Sequence, residues 1–328
     1  MMKLYLAPME EITGYVFRNA LDKHFGCVDK YFTPFISPDN RIMKTRSAEE
    51  IAPSHNEGLS VVPQLLTNDH EQFNGAAKLI AGMGYSEINI NFGCPSNTVA
   101  AKFKGSGILR APEIMDRFLD GVFDGKGSVL RDHPSLKISV KTRVGYNETS
   151  DFEKVCDTLN RYPFCEIIVH PRLKKDLYNG SPRMEMFDMA CKRLDTDIVY
   201  NGDIDSAEKC NDMITGFERR SDKDRHNITA VMIGRGAIRN PGIFREIRTG
   251  QVMTAAKLYD FLGDLYDTYK EMLGTGNAIS KLKEVWSYVT GLIPDDKERA
   301  RTFKAIIKSK SEAEYKDSVL VARSMIRL

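Results

Sequence analysis

No run of apolar residues in this chain approaches the length of a membrane span, and the amino end, Met1-Met2-Lys3-Leu4-Tyr5-Leu6-Ala7-Pro8, lacks the long apolar segment of a secretory signal. A cytoplasmic location is expected. None of the six cysteines, at 27, 94, 156, 165, 191 and 210, belongs to a Cys-x-x-Cys pair. That argues against a structural zinc site and a disulfide framework, and leaves six free thiols. No carboxylate–histidine cluster with metal-ligand spacing is present, so no metal is expected. Excess charge is missing as well. The 47 Lys+Arg and 45 Asp+Glu leave a net charge of +2, so binding to nucleic acid would need local basic patches rather than a global field. What remains is an ordinary soluble composition, 42% hydrophobic and 28% charged. Its 328 residues suffice for one large domain and a smaller one.

The pattern along the chain is a strand followed by a helix or long loop, repeated. Short strands are expected over Leu4–Pro8, Lys30–Pro34, Leu59–Leu65, Ile88–Asn91, Leu136–Val144, Glu166–Val169, Asp197–Tyr200 and Ala230–Ile233. Helices are expected over Gly14–Phe25, from an N-cap at Asp69 to Met83, from Pro112 onward and over Asp151–Leu159. Thr98 to Gly107 reads as a loop carrying Lys102 and Lys104. Eight strand-helix units imply a parallel (β/α)8 barrel, a TIM barrel. An open doubly wound sheet is the alternative, but the first strand lacks a Gly-rich dinucleotide turn. From about residue 252 strand patterns stop. Helices are expected over Thr254–Met272, Lys281–Val289 and Asp295–Lys308, with Gly274-Thr275-Gly276-Asn277 as an internal turn. The expected division is a barrel over 1–250 and a small all-helical domain over 251–328.

In a barrel the carboxyl ends of the strands converge on one mouth. There the sequence places Gln64, Asn91, Cys94, Lys141, Arg143, His170, Asn201, Asp203 and Arg235. The Gly93-Cys94-Pro95 corner carries a thiol just past a strand, where proline cannot continue the ladder. Two readings stay open for it, a thiol that does chemistry and a buried inert one. Asn201-Gly202-Asp203 and Gly234-Arg235-Gly236 follow the last two strands, where such barrels bind phosphate, and glycines there let backbone N–H groups approach an anion. A phosphorylated cofactor whose ring points to the barrel centre would meet Lys141, and a cation there suits the negative charge near N1 of a reduced flavin.

Six segments occur in order: Leu6-Ala7-Pro8-Met9-Glu10, Asn91-Phe92-Gly93-Cys94-Pro95, Val140-Lys141-Thr142-Arg143-Val144-Gly145, His170-Pro171-Arg172 with Tyr178-Asn179-Gly180, Asn201-Gly202-Asp203-Ile204 and Ile233-Gly234-Arg235-Gly236-Ala237. This ordered set resembles the tRNA-dihydrouridine synthases of bacterial type over residues 3–248, and Lys281-Leu282-Lys283 with Trp286-Ser287-Tyr288 is weakly similar to their helical domain. The resemblance implies an FMN-bound barrel that reduces the 5,6 double bond of uridine in tRNA, with NADPH as electron source. It implies that Pro8, Met9, Glu10, Gln64, Lys141, His170, Asn201, Gly202, Asp203, Gly234 and Arg235 hold FMN. Cys94 would be the general acid, giving a proton to C5, and Asn91 and Arg143 would meet the target nucleotide. Lys102 and Lys104, with Lys281 and the stripe Lys297, Arg301, Lys304 and Lys308, would contact RNA. On a helix that stripe falls at i, i+4, i+7 and i+11, with Phe303, Ile306 and Ile307 expected on the opposite side. Its bland reading is a solvated face. A monomer is expected. The chain departs from the family where an Asn-Arg pair is usual and Ala100-Ala101 stands, and where proline rather than glycine follows His170. Two rivals remain. A dihydroorotate dehydrogenase-like FMN barrel acting on a free pyrimidine would not need a basic helical domain. A non-catalytic tRNA-binding protein would not need Cys94, Lys141 and Gln64.

Overall fold

The strand expected over Leu59–Leu65 is two strands, and Pro63 is the reason. In the computed structural model, which describes residues 2–39, 45–219 and 228–328, the chain pairs on either side of this proline. Proline offers no N–H to the ladder, so regular pairing stops there. Its carbonyl is still used, accepting from the Asn89 N–H at 2.9 Å. The strands are β1 (Lys3–Leu6), β2 (Lys30–Phe32), β3 (Val61–Val62), β4 (Gln64–Leu65), β5 (Glu87–Phe92), β6 (Lys137–Arg143), β7 (Ile167–His170), β8 (Ile198–Tyr200) and β9 (Ile228–Ile233). Their hydrogen-bonded order is β3-β2-β1-β9-β8-β7-β6-β5-β4. The two ends of that order, β3 and β4, are the two halves of one segment, so eight segments form a nearly closed parallel barrel. The expected (β/α)8 architecture is the observed one.

The chain divides into two compact units. The first comprises Met1–Pro8, Asp29–Asp203 and Ile214–Met232. Its hydrophobic core cluster includes Tyr5, Phe32, Val62, Ile168, Val199, Ala230 and Met232, contributed by β1, β2, β3, β7, β8 and β9. Near the amino ends of the strands lies a charged cluster that sequence patterning does not reveal. Lys30 Nζ donates to Glu87 Oε2 at 2.6 Å and to Glu166 Oε1 at 3.0 Å, and the Tyr5 hydroxyl donates to Glu166 Oε2 at 3.0 Å. Glu87 and Glu166 are both buried. Burial and the neighbouring Glu87 push the Glu166 carboxyl above its usual range, against the pull of Lys30.

The second unit comprises Met9–Val28, Ile204–Met213 and Ile233–Leu328. Its long helices are Tyr15–His24, Ala255–Leu273, Thr275–Val289, Asp296–Lys308 and Glu312–Met325. Phe17 meets Phe261 edge to face at 5.5 Å, and Trp286, fully buried, donates its Nε1–H to the Tyr315 hydroxyl at 3.0 Å. The turn expected at Gly274–Asn277 is shorter than read. Gly274, at φ +80°, ends one helix and the next begins at Thr275, because glycine alone makes the left-handed junction. The last helix escapes the hydrophobic pattern since Leu320 and Val321 are exposed, although Ser311 caps it through the Glu314 N–H at 3.2 Å. No described helix is long and apolar enough to cross a membrane.

Candidate active site

Strand β5 alternates isoleucine with asparagine, and the asparagines build a buried amide ladder. Gln64 donates to Asn89 Oδ1 at 2.7 Å, Asn89 donates to Ser139 Oγ at 2.8 Å, and Asn91 donates to Gln64 Oε1 at 2.6 Å. The other end of the Asn91 amide does the work of a turn. Its Oδ1 accepts from the backbone N–H of Gly93 at 3.0 Å and of Cys94 at 2.8 Å, which bends the chain at the strand end. The Cys94 carbonyl is then taken by Ser106, from its N–H at 3.1 Å and its hydroxyl at 2.8 Å. Gly105, at φ +55°, is required here: a Cβ on it would lie 2.9 Å from the Cys94 carbonyl oxygen. The cysteine is half-buried on a loop held at both sides. The loop itself is more ordered than its sequence suggests, with a helical turn at Asn97–Ala100 and a 3-10 stretch at Gly105–Arg110.

Strand β6 carries Lys141 and Arg143 two residues apart, hence on one face. Burial, with the nearby Arg143 charge, pushes the half-buried Lys141 amine down to about 7, and Cys94 opposes that shift. Among the described residues its ammonium makes no hydrogen bond or ion pair. Arg143 is buried and ties two loops together. Its Nε donates to the Gly93 carbonyl at 3.0 Å, its Nη1 to the Leu173 carbonyl at 2.7 Å, and its guanidinium faces the Tyr178 ring at 5.6 Å. It joins the cysteine loop to the loop after β7.

That second loop turns on Arg172, which the sequence offered within the His170-Pro171-Arg172 segment but not as a site residue. Arg172 is fully buried; Nη1 donates to Asp203 Oδ1 at 2.8 Å and Nη2 to Oδ2 at 2.5 Å. It also donates to the carbonyls of Gly180 and Asn179. At 3.3 Å its Nη1 faces His170 Nε2, which must therefore accept, so the imidazole proton belongs on Nδ1. Asn201 donates to the Met232 carbonyl at 2.9 Å. The glycine at 202 has a local cause, because a Cβ there would strike the Tyr200 hydroxyl.

A model of the dihydrouridine synthase family, described as "Dihydrouridine synthase (Dus)", matches residues 5–325. The chain belongs to the dihydrouridine synthase family. It is 28% identical over 286 residues to a probable tRNA-dihydrouridine synthase of Staphylococcus aureus strain Mu50, an alignment covering 80% of this chain and 77% of the relative. To tRNA-dihydrouridine synthase B of Pasteurella multocida it is 26% identical over 245 residues, covering 74% and 68%. In fold it is similar to the old yellow enzyme homologue from Zymomonas mobilis, with a TM-score of 0.50 at 11% identity over 77% of this chain and 90% of that one.

Within this dihydrouridine synthase chain, the first unit brings together Gln64, Asn91, Cys94, Lys141, Arg143, His170, Asn201, Gly202 and Asp203, all on strand ends or the loops that follow them, with Pro8 just past β1. Gln64 and Asn91 hydrogen-bond each other, and Arg143 holds the loops at Gly93 and Leu173. Met9, Glu10, Gly234 and Arg235 belong to the second unit. Met9 is turned by Thr13, whose hydroxyl accepts the Met9 N–H at 2.8 Å, and Gly234 precedes the short helix Arg235–Arg239. A Cβ on Gly236 would strike the Ile204 carbonyl, so that glycine too has a packing cause. Lys102 is exposed and Lys104 half-buried. Lys281 is paired with Glu11. Lys297, Arg301, Lys304 and Lys308 are all exposed on the helix Asp296–Lys308. Its buried side is Thr302 and Ile306; Ile307, expected inside, is 42% exposed. No described group of three His, Cys, Asp or Glu side chains could hold a metal.

Proposed function

We propose that the protein reduces the 5,6 double bond of uridine in tRNA to dihydrouridine, using FMN and NADPH. The observation that carries this reading is the pairing of a half-buried Cys94, braced on both sides, with an unpartnered Lys141 amine held near 7. A half-buried amine with no carboxylate beside it among the described residues fits a cofactor that brings negative charge to that spot. Lys141 would face the ring of FMN, while Asn201, Gly202, Asp203, Gly234 and Arg235 would hold its phosphate side and Pro8, Met9, Glu10, Gln64 and His170 would line the ring. When bound, FMN supplies the hydride that adds to C6 of uracil. Cys94 then has one task, to place its Sγ proton on C5 as charge develops there. Asn91 sets the aim of that thiol by fixing the Cys94 N–H, and Arg143 keeps the loop shut over it. The uracil must leave its stack to reach such a pocket. Nucleoside analysis of unmodified tRNA incubated with the protein, FMN and NADPH tests the reading. Dihydrouridine should accumulate; reduction of a free pyrimidine such as orotate at its 5,6 bond, with no dihydrouridine formed in tRNA, would favour the rival enzyme class.

Lys141→Met should slow flavin reduction by NADPH far more than it weakens FMN binding, as read by stopped-flow bleaching. Because the amine is mostly neutral at pH 8, an anionic cofactor should also draw a proton onto it. Calorimetry of FMN binding in buffers of different ionisation enthalpy should show that uptake in the wild type and not in the variant. A bleaching rate equal to wild type would remove Lys141 from this role.

The exposed stripe Lys297, Arg301, Lys304 and Lys308 on 251–328 would track tRNA phosphates, with Lys102 and Lys104 adding charge near the cysteine loop. Lys281 would support this surface through its pairing with Glu11. Converting Arg301 and Lys304 to Glu should weaken tRNA binding and flatten its salt dependence while NADPH oxidation persists. An unchanged salt slope would leave the stripe a solvated face.

A further inference from the structure

Three loops of the first unit build a stack of cations on aromatic rings that none of the roles above uses. Arg110, exposed at the end of the 3-10 stretch, lies with its Cζ 4.3 Å from the Phe103 ring centroid and 4.8 Å from that of Tyr146. Lys174 Nζ is 5.1 Å from the centroid of the same Tyr146 ring. Polar contacts fix both cations. Arg110 Nη2 donates to the Ala100 carbonyl at 3.2 Å and reaches that of Ala101 at 3.5 Å, and Lys174 donates to Asn97 Oδ1 at 2.5 Å. Phe103 holds its ring there from a left-handed backbone, φ +55°, which is costly for a bulky residue.

The two cations share one ring, and neither pairs with a carboxylate among the described residues. Two cations that lie against one ring without a carboxylate partner repel, and an anion bound beside them would relieve that. The position says which anion. Phe103 and Arg110 belong to the loop that begins at Cys94. Tyr146 lies three residues beyond Arg143, and Lys174 follows Leu173, whose carbonyl Arg143 binds. The stack is therefore built on the Cys94 loop and on the segments that follow Arg143 and Leu173. The Arg110 side chain also covers the backbone at Ala100-Ala101, where the chain has no long side chain of its own.

We propose that Arg110, Lys174, Phe103 and Tyr146 form a clamp for backbone phosphates of the RNA strand on either side of the uridine delivered to Cys94. This rests on the dihydrouridine reading above. Aromatic faces and guanidinium are the groups that hold an unstacked strand without reading its sequence.

The test compares wild type, Arg110→Gln, Lys174→Gln, the double variant and Arg110→Lys, by tRNA binding across a salt series and by steady-state dihydrouridine formation. Each lost single-strand phosphate contact removes about 0.7 from the slope of log K against log salt, so the double variant should lose about 1.4. Its tRNA affinity should drop about tenfold near 0.1 M salt, where counterion release dominates. KM for tRNA should rise with it, while kcat at saturating tRNA changes far less. Arg110→Lys, which keeps the charge, should keep the slope. FMN content and circular dichroism serve as folding controls, and a double variant that loses FMN together with kcat would show the stack to be structural and overturn the clamp. A double variant with wild-type slope and KM, beside a wild type that binds and modifies tRNA, would overturn the clamp alone. A wild type that neither binds nor modifies tRNA would overturn both readings.

Discussion

Replacing Cys94 with alanine should leave a protein that binds FMN, bleaches with NADPH at a near-normal rate and binds tRNA, yet forms little dihydrouridine. Reduction of the cofactor needs no proton at C5 of uracil, whereas reduction of uracil does, and in the proposed chemistry only the thiol supplies it. General acids typically contribute about 10²–10⁴-fold, so residual product should be small but measurable. The Cys94→Ser variant should fall between, since a hydroxyl is a far weaker acid than a thiol. The geometry sharpens this expectation. The Cys94 loop is held by its backbone, through Asn91 Oδ1 on the N–H and Ser106 on the carbonyl, so removing the sulfur should not unmake the loop. A structural cysteine predicts the opposite pattern, in which product falls only in proportion to lost FMN or folded protein. Single-turnover product formation from tRNA by the reduced variant, measured without oxygen, decides between them. A wild-type rate would take Cys94 out of the mechanism.

Lys30→Met should produce the largest loss of stability. It leaves Glu87 and Glu166 facing each other in the barrel without the ammonium that bridges them at 2.6 and 3.0 Å. Removing one partner of a buried ion pair costs about 3–5 kcal/mol, because the remaining charge is stranded. Replacing the whole set is much milder, so Lys30→Met combined with Glu87→Gln and Glu166→Gln should recover much of the loss. The pH dependence gives a second check. Glu166 already lies above its usual range, and losing Lys30 removes the cation that pulls it down. A carboxyl whose pKa is higher folded than unfolded binds protons preferentially in the native state, so stability rises as pH falls through its folded pKa. The destabilisation of Lys30→Met seen at pH 7 should therefore shrink towards pH 5. Urea midpoints at the two pH values test this, and an equal deficit at both would mean the carboxylates are not what the lysine compensates.

Much of this protein was legible without coordinates. Barrel strands are short apolar segments whose ends carry the polar residues, so their number, spacing and parallel arrangement could be read along the chain, as could the N-cap at Asp69, whose side chain accepts from Glu71 and Gln72. Boundaries were less legible. Pro63 splits a strand whose hydrophobicity is continuous, and the loop after Cys94 folds into turns because Gly105 and Ser106 fit against the Cys94 carbonyl, a contact with no periodic trace. The final helix was missed since its largest aliphatic residues, Leu320 and Val321, face outward while Tyr315 and Ala322 are buried.

Residue type and chain order alone determined that a thiol, a lysine, a histidine and several amides would gather at the strand ends, since any closed parallel barrel brings those ends together. Only the tertiary structure decided what each of them is occupied with. Gln64, Asn91 and Arg143 are identical in sequence whether they reach for a ligand or for each other, and in the folded chain they bind each other's loops. Arg172 reads as one more surface cation and is instead the fully buried partner of Asp203. Lys141 is left unpartnered among the described residues, and the half-buried Lys30 bridges two buried acids distant in sequence. The charge of a side chain is written in the sequence, but its counter-ion and its solvent exposure are set by residues far along the chain, 136 positions away for the Lys30–Glu166 pair, which no local pattern can encode.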